Sequence, residues 1–251
     1  MKRTAIAFAA TILSAAAMNA SAAAPVADTT VVLVHGAFAD GSSWEKVIPL
    51  LQAKGLKVVA VQNPLTSLAD DVAATKRVID AQTGKVVLVG HSWGGMVITE
   101  AGTSDKIKSL VYVAAFAPSE GEAAGALGKN YAVPPGIATL QADAGGYLWL
   151  PTDSVAKNFA QDVSPATAAL IAATQGPINS KAFGEATTVA AWKTKPSYYI
   201  VAAKDRMIAP ELEQAFAKKI NATTTTLQTS HVPMVSQPAK VAEVIIAAAQ
   251  R

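Results

Sequence analysis

The hydrophobic positions of this chain fall into short uninterrupted runs separated by stretches of helical length. Val31-Val32-Leu33-Val34 ends at His35-Gly36, and Lys57-Val58-Val59-Ala60-Val61 ends near Asn63-Pro64. Lys85-Val86-Val87-Leu88-Val89 ends at Gly90, Ile107 to Ala114 forms the next run, and Tyr198 to Ala203 the fifth. These five are apolar throughout rather than alternating, which is the pattern of strands buried on both faces. Thr223 to Gln228 adds a sixth strand. Between the strands, helices are predicted at Ser42–Lys54, Leu68–Ala81, Trp93–Thr103, Pro210–Ile220 and Pro238–Gln250. Pro210 and Pro238 sit in first turns, where a missing N–H is tolerated. Strands alternating with helices predict an α/β fold, a mostly parallel sheet with helices on both faces.

The rhythm breaks between Ala117 and Lys195, where no strong strand appears and Gly and Pro punctuate short Ala-rich stretches. Residues 117–195 are therefore expected to be an inserted, mainly helical cap on a core made of residues 23–116 and 196–251. The insertion carries Tyr131, Tyr147, Trp149, Phe159, Phe183 and Trp192. These either pack a small core of its own or line a pocket over the sheet edge.

The first residues have a different character. Lys2 and Arg3 precede an uncharged, Ala-rich run from Thr4 to Ala17, and Ala20-Ser21-Ala22 follows. A run of about 14 residues falls short of the roughly 20 that cross a bilayer, so residues 1–22 are expected to be a cleaved signal peptide. Cleavage is expected after Ala22, with Ala24 as the alternative, and the mature chain is then periplasmic or secreted with no stable membrane insertion. Losing Lys2 and Arg3 leaves 19 Lys and Arg against 18 Asp and Glu, in place of 21 against 18. That balance, without any Lys/Arg cluster, gives no basis for a nucleic-acid partner. The chain has no cysteine, which excludes a thiol nucleophile, a thiolate metal site and disulfides. Half of it is hydrophobic (51%) and 16% is charged, the composition of a folded globular chain.

The sharpest chemical signal is Gly90-His91-Ser92-Trp93-Gly94-Gly95, at the end of a buried strand and the start of a helix. A nucleophile on such a tight turn crowds its neighbours, so glycine is needed at positions 90 and 94. The turn exposes the Ser92 hydroxyl and aims a helix N-terminus at the reacting centre. A serine hydroxyl needs a base, and the chain has only three histidines. His91 adjoins Ser92 and is expected to point to the opposite side of the turn, while His35 is expected to shape the loop after the first strand. His231 follows the last strand, at the sheet edge where catalytic groups gather in such folds, and is the expected base. Asp205, just beyond the strand 198–203, is the expected acid that orients it, with Glu120 as rival. The resulting order is Ser…Asp…His. Expected donors to the oxyanion are the backbone N–H groups of Trp93 and of Ala37, the latter chosen over Phe38 in His35-Gly36-Ala37-Phe38.

The run Val32-Leu33-Val34-His35-Gly36-Ala37, Trp44 and the Gly-His-Ser-Trp-Gly-Gly turn resemble the α/β-hydrolase superfamily. Within it the chain is similar to the branch of plant methyl esterases and hydroxynitrile lyases and their small bacterial relatives. The resemblance spans about Thr30 to the C-terminus and is weakest in the cap. It implies an α/β-hydrolase fold, a triad of Ser92, His231 and Asp205, oxyanion donors at Ala37 and Trp93, and no cofactor or metal. It also implies hydrolysis of a small carboxylic ester through an acyl-enzyme on Ser92. Serine at the turn disfavours the dehalogenases and epoxide hydrolases of this fold, which use aspartate. Val232-Pro233-Met234-Val235 lacks the lysine that such hydroxynitrile lyases carry after the histidine. Carbon–carbon or cyanohydrin lysis remains the alternative reaction, and non-catalytic binding of a small ligand the alternative class. Nothing in the pattern specifies an oligomer.

Overall fold

The computed structural model describes Met1 and residues 28–251; the expected signal segment, residues 1–22, lies outside the described residues apart from Met1. Four strands come first: β1 (Thr29–Val34), β2 (Lys57–Val61), β3 (Lys85–His91) and β4 (Ile107–Val113). Three short ones follow, β5 (Gln141–Ala142), β6 (Tyr147–Trp149) and β7 (Ile178–Asn179), and then β8 (Ser197–Ala202) and β9 (Thr223–Leu227). The long strands make one parallel six-stranded sheet in the order β2-β1-β3-β4-β8-β9. β1 and β8 are buried along their whole length, as their unbroken apolar runs require. β2 carries the same kind of run but sits at an edge, with only Val61 fully buried. An apolar run thus marks a strand without saying whether it is central.

The helices follow the predicted positions with one exception. The stretch expected as one helix, Ser42–Lys54, is a 3-10 turn (Gly41–Trp44) and a separate helix α1 (Ile48–Gln52). Asp40 caps the turn through Ser42 N–H at 2.7 Å, and Pro49, which has no N–H to give, sits in the first turn of α1. The others are α2 (Leu68–Asp80), α3 (Gly94–Ala101), α4 (Pro165–Thr174), α5 (Pro210–Lys219) and α6 (Pro238–Gln250). α3 and α6 both pack on β3 and β4, with α2 against α3 and α1 against α6. The helices so cover the sheet in two pairs.

Strand register decides what meets at the sheet's carboxyl edge. Val34 lies opposite Gly90, His91 opposite Val113, and Val113 opposite Ile200. The loops after β1, β3, β4 and β8 therefore leave the sheet at nearly one level, which is where the chemistry predicted from sequence collects.

Residues 117–195 are less purely helical than the sequence suggests. Beside α4 and the short helix Ala124–Leu127 they contain the antiparallel sheet β5-β6-β7. β5 and β6 are joined by a turn in which Asp143 Oδ1 accepts from Gly145 and Tyr147 N–H, with Gly146 at φ +78°. Strands of two or three residues are too short to print a period of two on the sequence.

Candidate active site

Ser92 sits between β3 and α3 with φ +53°, a left-handed conformation that is uncommon for a side-chain-bearing residue and marks stored strain. The neighbouring chain is packed so closely that side chains have no room there. A Cβ at Gly90 would lie 2.5 Å from the Gly94 carbonyl oxygen, and one at Gly94 would lie 2.6 Å from that of Val34. Ser92 O accepts from Phe116 N–H at 3.2 Å and Ser92 N–H donates to Val113 O at 3.2 Å, so the end of β4 braces the turn.

The structure brings Ser92, His231 and Asp205 into one line. Ser92 Oγ and His231 Nε2 are 2.8 Å apart, and His231 Nδ1 is 2.5 Å from Asp205 Oδ2. All three are buried. Asp205 Oδ1 accepts from Met207 N–H at 2.6 Å and Ile208 N–H at 3.0 Å, fixing the carboxylate plane. The rival acid, Glu120, is exposed and pairs instead with Lys193 at 2.8 Å.

The loop after β1 closes on Ser92. A Cβ on Gly36 would lie 2.7 Å from Ser92 Cβ, so only glycine lets the main chain pass there. Phe38, at φ +60°, donates its N–H to Gly176 O at 3.0 Å. The N–H groups of Ala37 and Trp93, the expected oxyanion donors, have no acceptor among the described residues. His35 behaves as a loop residue: Nδ1 donates to Gly36 O at 2.8 Å, and Nε2 accepts from Asn63 N–H at 2.9 Å. Burial holds its pKa below the usual histidine value, consistent with this neutral, singly protonated ring.

His91 does more than the sequence suggests. Rather than turning away, its ring lies 4.8 Å from that of His231, and its Nε2–H donates to the His231 carbonyl at 2.8 Å. Complete burial, reinforced by the neighbouring His231, holds its pKa well below 6.5, so it remains a neutral donor. Phe159 packs edge-on against His231 at 5.2 Å. The Trp93 side chain points into the core, donating from Nε1 to Asp71 Oδ2 at 2.7 Å, with Phe183 at 5.4 Å. Nothing in the sequence singles out Asp71, one of three aspartates in an ordinary amphipathic helix.

A cavity of about 380 Å³ lies between residues 117–195 and the sheet edge. Phe116, Tyr131, Leu140, Phe183, Met207 and Ile208 line it, and it is overwhelmingly apolar. Two of the lining residues bond to site residues: Phe116 N–H donates to the Ser92 carbonyl and Ile208 N–H to the Asp205 carboxylate. No helix among the described residues is long and apolar enough to cross a membrane.

Residues 31–244 match the alpha/beta hydrolase family. The chain is 27% identical over 238 residues to a probable hydrolase of a Phoma species, covering 86% of this chain and 96% of that one. It is 38% identical over 102 residues to the salicylic acid-binding protein 2 of Nicotiana tabacum, a stretch that covers 35% of this chain and 39% of the other. A pyrethroid hydrolase from Sphingobium faniae JZ-2 superposes with a TM-score of 0.76 at 22% identity, over 88% of this chain and 97% of that one.

Proposed function

The chain belongs to the alpha/beta hydrolase family, and from that premise we propose that it is a serine esterase acting on small carboxylic esters with an apolar group. The observation that carries this reading is the continuous line Ser92 Oγ, His231 Nε2, His231 Nδ1, Asp205 Oδ2, ending on a strained serine. Relatives whose names state esterase activity, among them a carbendazim hydrolyzing esterase of a Nocardioides species, support the same reaction type.

In the first step His231 Nε2 takes the Ser92 proton as Oγ attacks the ester carbonyl carbon. The carbonyl oxygen becomes an oxyanion and accepts from the N–H groups of Ala37 and Trp93, each such donor contributing about 3 kcal/mol. The imidazolium, stabilised by Asp205, gives its proton to the departing alcohol and leaves an acyl-enzyme. Water then loses a proton to His231 as it attacks the acyl carbon, and His231 returns that proton to Ser92 Oγ as the acid is released. The apolar cavity suits a methyl or aryl ester better than a polar one. Residues 117–195 serve as a cap in this scheme, supplying Tyr131, Leu140 and Phe183 to the substrate pocket.

The test is hydrolysis of p-nitrophenyl esters of increasing acyl length by the wild type beside Ser92→Ala. Turnover is expected on the shorter esters and should fall by about 10⁴-fold or more in the variant. Unchanged turnover in Ser92→Ala overturns the nucleophile, and a lasting preference for long chains overturns the substrate class. For the N-terminal segment, we propose export with removal of residues 1–22. Mass spectrometry of protein recovered outside the cytoplasm should give a chain beginning at Ala23.

A further inference from the structure

One buried acid has no part in this scheme. Glu213, on α5, is wholly inaccessible to solvent. Its Oε2 accepts from Ala202 N–H at 2.9 Å, while Oε1 has no hydrogen-bond partner among the described residues. Ala202 is the last residue of β8, and its carbonyl accepts from Asp205 N–H at 3.1 Å. Glu213 is therefore bound to the same turn that presents the triad's acid. The titratable groups facing it are Asp205 and Tyr199, with His231 beyond Asp205. Tyr199 is turned away, its hydroxyl engaged with the backbone of Ala115.

Two carboxyl groups this close in a dry interior do not both ionise. The count of donors decides which one carries the charge. Asp205 receives three, from Met207 N–H, Ile208 N–H and His231 Nδ1. Glu213 receives one. Desolvation, together with the Asp205 charge, pushes Glu213 well above the ordinary glutamate value.

We propose that Glu213 is a positioning residue for the triad, donating a hydrogen bond from Oε1 to the carboxylate of Asp205 and so limiting how strongly Asp205 holds a proton on His231. It rests on the esterase reading, because it acts through that triad. The bond gives the orphaned Oε1 a partner and gives Asp205 a further donor besides Met207, Ile208 and His231. A neutral acid also adds no second negative charge beneath the imidazole, which a carboxylate in the same place would.

The sign of the effect separates this role from plain packing. Glu213→Leu removes the donor, concentrates the Asp205 charge on His231, and stabilises the imidazolium. The acid limb of kcat/KM should then move up by about half a unit to one unit, with plateau turnover falling about tenfold for one lost bond to a charged group. Glu213→Gln keeps a donor toward Asp205 and an acceptor for Ala202, and should hold the limb at its wild-type position. A limb that moves down in Glu213→Gln would mean the native residue is a carboxylate, and overturns the proposal. So would an unmoved limb in a folded Glu213→Leu. Should the leucine variant fail to fold, the infrared difference spectrum of wild type minus Glu213→Gln at neutral pH decides. A protonated-carboxyl C=O band is expected, and a carboxylate band in its place overturns the proposal. Wild-type turnover that survives Ser92→Ala would instead strike at the esterase reading, so the two failures are distinguishable.

Discussion

Ser92 is held by close main-chain packing, whereas His231 and Asp205 are held by individual hydrogen bonds, several of them from or to side chains. Around Ser92 the chain segments approach so closely that Gly36, Gly90, Gly94 and Gly95 have no space for a Cβ. On the other side, the His231 loop hangs from His91 through its carbonyl, from Asp162 through Ser230 N–H at 2.9 Å, and from Lys204 N–H through Thr229 O at 3.0 Å. A backbone-packed element has one geometry or none. A loop tied by side chains can lose a tie and survive with looser aim. The two halves should therefore fail differently when disturbed, the first in folding and the second in turnover.

The largest effect is expected from Gly95→Ala. The added methyl would sit 2.0 Å from the Phe116 carbonyl oxygen, a backbone atom fixed between β4 and the Ser92 turn. Overpacking against main chain costs on the order of 3 kcal/mol, so thermal or urea denaturation should show a large loss of stability, with activity lost in parallel. Gly184→Ala, where a Cβ meets nothing within 4 Å, is the control and should leave both unchanged. A Gly95→Ala protein as stable as the wild type would break the comparison on its rigid side.

His91→Phe probes the other half. It removes the Nε2–H donor and leaves the buried His231 carbonyl unpaired, a cost of about 1–3 kcal/mol. The fold should persist, since a planar aromatic ring of comparable size still fills the space, while kcat falls about tenfold as the imidazole of His231 loses its aim. Steady-state kinetics should show the loss in kcat with KM little changed. Wild-type kcat would mean that the Asp162 and Lys204 ties alone hold the loop.

This division also governs how much of the molecule is legible in its sequence. Close backbone approach forces glycine, and glycine is visible as a letter, so the turn around Ser92 reads directly from Gly90-His91-Ser92-Trp93-Gly94. Central strands read equally well, because burial on both faces demands unbroken apolar runs such as Val86 to Val89. His231 and Asp205 are legible because the chain has few histidines and because both follow strands. The supports behind them are not. His91 meets His231 across 140 residues, Asp71 meets Trp93 across 22, and Glu213 reaches back to Ala202 from a helix whose acids otherwise face solvent. A side-chain hydrogen bond leaves no periodicity and no required letter at its far end. The same holds for β5, β6 and β7, and for the break between Trp44 and Ile48, where a side-chain cap and a proline outweigh helical spacing.

The smallest expected effect falls where the two halves of this contrast overlap. Trp93 belongs to the rigid turn, yet its indole is tied by a side chain, Asp71, whose Oδ1 also accepts from Leu65 N–H at 2.8 Å. Burial pushes the Asp71 carboxyl up to about 6, against 3.8 for an exposed aspartate, and the hydrogen bonds from Trp93 and Leu65 only partly oppose it. With the folded value the higher one, the folded chain holds this proton more tightly than the unfolded chain. Stability contributed at this site therefore falls as pH rises from about 4 to about 6, and is level above that. Asp71→Asn removes the titration, so its stability deficit relative to wild type should be greatest at low pH and still large at about pH 4.5. By pH 7.5 the deficit should shrink by about 2 kcal/mol, with turnover reduced only a few-fold. Denaturation of both proteins at the two pH values measures this directly. A deficit that grows with pH would show that the bonds to Trp93 and Leu65 outweigh desolvation, making Asp71 a rigid strut of the nucleophile turn rather than an adjustable tie.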